Sequence, residues 1–147
     1  MERFLIVLFA AVGGGMIAAQ APINARLRLS VGSPMLSAAL SFAVGTVALA
    51  VGVLATGALE GVRQAGSAPW WAWLGGLAGA MLVTASLIAA PRLGATTTFV
   101  AIISGQVLVA VILDRFGWLG LSARPLTTER LLALVMMLGA LALLLRE

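Results

Sequence analysis

The sequence predicts an all-α integral membrane protein with five transmembrane helices in one transmembrane domain over 1–147. Three observations lead there. First, 62% of the 147 residues are hydrophobic and only 10% charged, where a soluble domain carries about a quarter charged residues. Mean hydropathy is +1.13. That leaves too little polar surface to cover a water-soluble globule, so the solvent must be lipid. Second, five apolar runs follow one another, and they are continuous rather than alternating, which argues against strands. Third, every basic residue is an arginine, and the arginines sit between the apolar runs rather than along one face. The net charge of +4 therefore reads as membrane topology and not as a nucleic-acid footprint.

The first span covers about 4–28. Met1-Glu2-Arg3 and Ala19-Gln20-Ala21 have the outline of a cleaved signal. Glu2 cancels Arg3, however, and Gly13-Gly14-Gly15 interrupts the run, so a retained helix is expected. Pro22 should kink this helix rather than end it, because neighbouring helices can satisfy the freed carbonyl. Arg26 and Arg28 mark the exit into the headgroups. Gly32-Ser33-Pro34 is a restart, with serine as N-cap and proline at the first helical position.

The second span covers 34–59. Glu60 to Pro69, with Arg63, Gln64, Gly66 and Ser67, reads as a solvated loop. Trp70, Trp71 and Trp73 open the third span, 70–90, as interfacial anchors. Pro91-Arg92-Leu93-Gly94 reads as a tight reversal into the fourth span, 95–113, which stops at Asp114-Arg115. Phe116 to Leu126 is a connection. Thr127 or Thr128 caps the last span, 128–145, whose apolar run from Leu131 is short for a crossing. Arg130 and Arg146 can snorkel outward to lengthen it.

With the N-terminus on one side, Arg3, Arg63, Arg115, Arg124 and Arg130 share that side, and Arg26, Arg28, Arg92 and Arg146 lie on the other. Fixed-topology proteins show a marked cytoplasmic excess of Lys and Arg in short loops. Five against four selects no orientation, so dual insertion is expected. Two copies inserted oppositely can pack about a two-fold axis in the membrane plane, the symmetry that larger transporters carry within one chain.

Cysteine and histidine are absent, which removes thiol chemistry, imidazole catalysis and the commonest transition-metal ligands. No cofactor or metal is expected, and no nucleophile–base pair points to an enzyme. No span centre holds a carboxylate or an arginine. The polar groups at membrane depth are neutral. Gln20 and Asn24 lie on one face of the first helix, and Ser37 and Ser41 repeat that spacing on the second. Thr84 and Ser86 follow on the third, then Thr96, Thr97, Thr98, Ser104 and Gln106 on the fourth. Amides are costly in hydrocarbon unless bonded. Gln20, Asn24 and Gln106 are therefore the candidate substrate-binding groups, with Ser41, Thr84 and Ser86 as secondary ones. Among the small residues, Gly75, Gly76, Gly79 and Gly105 are the candidate packing positions. The last helix has no polar residue between Leu131 and Leu145 and is expected to face lipid or a second copy.

The run Gln20-Ala21-Pro22-Ile23-Asn24-Ala25-Arg26-Leu27 resembles the signature of the YdcZ-type small membrane proteins. So do Gly32-Ser33-Pro34, Ser41-Phe42 with Val44-Gly45-Thr46, Gly75-Gly76-Leu77-Ala78-Gly79-Ala80, Ala89-Ala90-Pro91-Arg92-Leu93-Gly94-Ala95, Gly105-Gln106 and Asp114-Arg115-Phe116-Gly117. The resemblance covers nearly the whole chain in order. It implies the drug/metabolite transporter superfamily, whose larger members have ten helices in two inverted halves. This chain looks like one half, completed by antiparallel dimerisation in a bacterial inner (plasma) membrane. The implied function is export of a small molecule by alternating access, as a dual-topology homodimer. The alternatives are a non-transporting membrane subunit, or half of a heterodimer with an oppositely oriented paralogue. The chain is also similar in logic to the small multidrug resistance proteins, but it lacks their first-helix glutamate. Proton antiport by that device is not expected, and the substrate expected is neutral, zwitterionic or a delocalised ion. The partners expected are the lipid bilayer, a second, inverted copy and that substrate, with no nucleic acid.

Overall fold

The computed structural model describes residues 1–146, and every regular element among them is helical. The helices are α1 (Glu2–Val31), α2 (Pro34–Thr56), α3 (Val62–Ala65), α4 (Leu74–Leu93), α5 (Ala95–Phe116) and α6 (Thr128–Leu144). Short 3-10 turns occupy Ala58–Gly61, Trp70–Trp73 and Trp118–Gly120. Four helical stretches are long and apolar enough to cross a membrane: α1, α2, α5, and α4 together with the Trp70–Trp73 turn before it. Helix α6 has 17 residues, about 26 Å of rise, somewhat short of the ~30 Å hydrocarbon core.

The chain packs as two units, Met1–Pro91 and the part from Arg92 onward. In the first unit, α1 and α2 form a hairpin whose turn is fixed by local chemistry. Gly32 takes φ 74°, a left-handed conformation that suits glycine, and its N–H donates to the Arg28 carbonyl. Ser33 then caps α2, its hydroxyl accepting from the Leu36 N–H at 3.3 Å, with Pro34 at the first helical position. Pro22 sits inside α1 without ending it. Helix α2 stops at Thr56, where Gly57 turns left-handed with φ 67°. The stretch read as a solvated loop from Glu60 holds a 3-10 turn and the single turn α3, all but Ala65 exposed. Three exposed tryptophans form the turn that opens α4, and the Phe42 ring of α2 lies 3.7 Å from where a Cβ on Gly79 would stand.

The reversal read at Pro91 through Gly94 is narrower than expected. Helix α4 continues through Pro91 to Leu93, and α5 begins at Ala95. Gly94 alone makes the break, at φ 78° and ψ 158°, a region open essentially to glycine only. In the second unit α5 runs on past Asp114 and Arg115 to Phe116. It packs against α6, which Thr127 caps by accepting the Arg130 N–H at 3.4 Å.

Little of the long helices is buried within the chain. The buried share is 6% for the most apolar stretch of α1, 6% for α2, 17% for α4 and 11% for α5. Such continuous exposed apolar surface is stable only against lipid or another protein surface.

Candidate functional site

The polar side chains of α1 and α2 meet along the hairpin seam. Four-residue spacing keeps Gln20 and Asn24 on one face of α1 and Ser37 and Ser41 on one face of α2. The hairpin brings them together in antiparallel order. Gln20 Nε2 donates to Ser41 Oγ at 3.3 Å, and Ser37 Oγ donates to the Asn24 backbone carbonyl at 2.7 Å. Ser37 is fully buried, Asn24 is 3% exposed, and Gln20 and Ser41 are half-buried.

The second rung leaves something over. It uses the main chain of Asn24 and not its side chain, and Asn24 Nδ2 is buried with no hydrogen-bond partner among the described residues. It stands out because buried polar groups are overwhelmingly paired. A lost partner of this kind costs about 1–3 kcal/mol. Within the first unit, the seam therefore combines one amide bonded through its nitrogen, Gln20, with one free donor, Asn24.

The other candidate residues lie elsewhere. The Ser86 hydroxyl is buried and bonds back to the Val83 carbonyl at 2.9 Å. Thr98 and Ser104 do the same, to Gly94 at 2.8 Å and Val100 at 2.7 Å. Such back-bonding satisfies a hydroxyl within its own helix and leaves it little to offer a ligand. Thr84 is half-buried and stands on an open groove of about 560 Å³, otherwise apolar, with Met35, Leu77, Met81 and Ile88. A second open groove, of about 400 Å³, lies along the end of α1 between Pro22 and Pro91, with Arg26 and Arg28 on its wall. Gln106 sits at the middle of α5, exposed, with no hydrogen-bond partner among the described residues. Of the four glycines, Gly79 has the Phe42 ring beside it. Gly75, Gly76 and Gly105 have open space where a Cβ would stand.

Asp114 reaches past Arg115 to Arg130, at 3.1 Å between Oδ2 and Nη1, with each side chain about a third exposed. The Asp114 backbone carbonyl also accepts the Arg124 N–H at 2.7 Å. This one residue thus ties the α5–α6 connection together. Among the described residues no group of three or more His, Cys, Asp or Glu could hold a metal ion.

No curated protein and no solved structure matches this chain. The family described as "Putative inner membrane exporter, YdcZ" matches residues 5–143. With four long apolar helices besides, the chain is a multi-pass inner-membrane protein and belongs to that family.

Proposed function

We propose that the chain is one half of a small-molecule exporter, and that two copies in opposite orientations form the working transporter by alternating access. In this reading α6 is the fifth crossing, with Leu145 and Arg146 extending its short apolar run to the interface. The Gln20–Ser41 and Asn24–Ser37 seam supplies the polar wall of the substrate cavity. Thr84 and Ser86 are secondary, and Ser86 is weakened as a candidate by its bond to Val83.

The observation that carries the reading is the unpaired amide nitrogen of Asn24. A buried donor without a protein partner destabilises the resting protein, and a bound molecule with an acceptor there would relieve that cost. The donor calls for an acceptor on the substrate. The absence of a carboxylate or arginine from the span centres favours a neutral or zwitterionic molecule, or an ion with delocalised charge.

The test is transport by the purified protein in liposomes, with ligands found by thermal shift. The native protein is expected to move and be stabilised by a ligand that accepts hydrogen bonds. Asn24→Ala should abolish both effects while remaining folded. If the protein transports nothing by itself and co-purifies with a second membrane protein, it is instead a subunit or half of a heterodimer.

A further inference from the structure

Gln106 presents a problem that the described residues of its own unit do not solve. It stands at the middle of α5, about 16 Å of helix from either end, and it is exposed with no partner among the described residues. The buried hydroxyls of α5, Thr98 and Ser104, are satisfied by carbonyls of the preceding turn. An amide carries two N–H donors and an acceptor, and lipid tails offer it nothing. Ile103 and Val109 flank it on the helix surface, both exposed. Gly105 beside it has open space where a Cβ would stand, so another backbone can approach closely there.

We propose that Gln106 is an assembly contact, in which the Gln106 amides of two copies hydrogen-bond to each other at the membrane midplane. This rests on the reading that two inverted copies pair. Geometry then singles out this residue. A two-fold axis in the membrane plane reverses depth, so a side chain meets its own counterpart only if it lies at the midplane. Gln106 does. Asn24, about 10 Å of helix from the end of α1, does not. A glutamine amide is self-complementary, donating through Nε2 and accepting through Oε1, so the two copies satisfy each other. Gln106 accordingly leaves the set of substrate-lining residues and joins the dimer interface.

The chain has no cysteine, which permits a direct test in native membranes. Gln106→Cys should give a cross-linked dimer with a short bifunctional thiol reagent. In the inverted arrangement, residues equally spaced about Gln106 face each other. Co-expressed Ile103→Cys and Val109→Cys chains should therefore cross-link to one another rather than each to itself. Gln106→Leu should weaken dimerisation in liposomes roughly threefold to twentyfold, measured by energy transfer between labelled copies, with Gln106→Asn in between. Energy transfer without cross-linking at 106, or with unchanged affinity in Gln106→Leu, overturns the contact and leaves paired copies standing. Cross-links of 103 to 103 and 109 to 109 would mean parallel packing and overturn the inverted pair. An absence of energy transfer at any protein density overturns both.

Discussion

Replacing Asn24 by leucine, a residue of similar reach with no polar atoms, should separate stability from function in opposite directions. Asn24 is 3% exposed. Its side-chain nitrogen has no hydrogen-bond partner among the described residues. The hydrogen bond at this position, from Ser37 Oγ at 2.7 Å, goes to the main-chain carbonyl, which leucine retains. The substitution therefore removes an unmet donor and breaks no observed bond. Relief of that desolvation is worth about 1–3 kcal/mol, and the imperfect fit of a differently shaped side chain offsets roughly 1 kcal/mol of it. The net expectation is a protein as stable as the native one or up to about 2 kcal/mol more stable. The assay is thermal unfolding of both proteins in lipid nanodiscs at matched concentration, because the proposed dimerisation would make the midpoint concentration-dependent. Ligand-dependent stabilisation and transport should be lost in the same variant. A loss of more than about 1 kcal/mol with transport intact would refute the reasoning, since Asn24 would then be a structural group that the fold needs.

Two further outcomes follow from the hairpin and the break. Ser37→Ala deletes the 2.7 Å bond to a carbonyl that the helix ladder also serves, and should cost about 0.6 kcal/mol, the average for such bonds in membranes. Ser37→Leu overfills a fully buried position and should cost about 1–3 kcal/mol, so the same unfolding assay should rank leucine below alanine. Gly94→Ala forces a Cβ onto a backbone at φ 78° and ψ 158° and should cost about 1–3 kcal/mol. An alanine variant with native stability would mean that the break relaxes freely.

The helix starts were legible because their signals are local. Ser33 followed by Pro34, the tryptophans at 70, 71 and 73, and Thr127 before the last helix each act within one turn. Pro22 lies inside α1 as the sequence predicts, but the same residue type at Pro91, where the sequence predicts the reversal to begin, lies inside α4 as well. The break falls at Gly94 instead. A proline removes one donor and a neighbouring helix can absorb that, whereas a backbone at φ 78° and ψ 158° cannot continue a helix. The matched four-residue spacings of Gln20 and Asn24 on α1 and of Ser37 and Ser41 on α2 were visible in the sequence. Their pairing was not, because it depends on the register set by Gly32 and Ser33. The Asp114–Arg130 pair escaped for a similar reason. Arg115 is adjacent in sequence, and Arg130 comes near only once the Asp114 carbonyl has folded the connection back through Arg124. The small-residue spacing around Gly75 and Gly76 was plain, yet nothing among the described residues of their own unit stands where a Cβ would be, and spacing alone does not say what packs there.

Orientation in the membrane tests the central claim most directly. Single cysteines in the cysteine-free chain at Ser30 and Ser67, exposed positions on opposite sides of the second span, can be labelled in intact cells with a membrane-impermeant maleimide. Two inverted copies predict that each position is labelled in part from outside, and that the remainder is labelled only after the membrane is opened. Complete labelling at one position and none at the other would fix a single orientation and contradict the inverted pair.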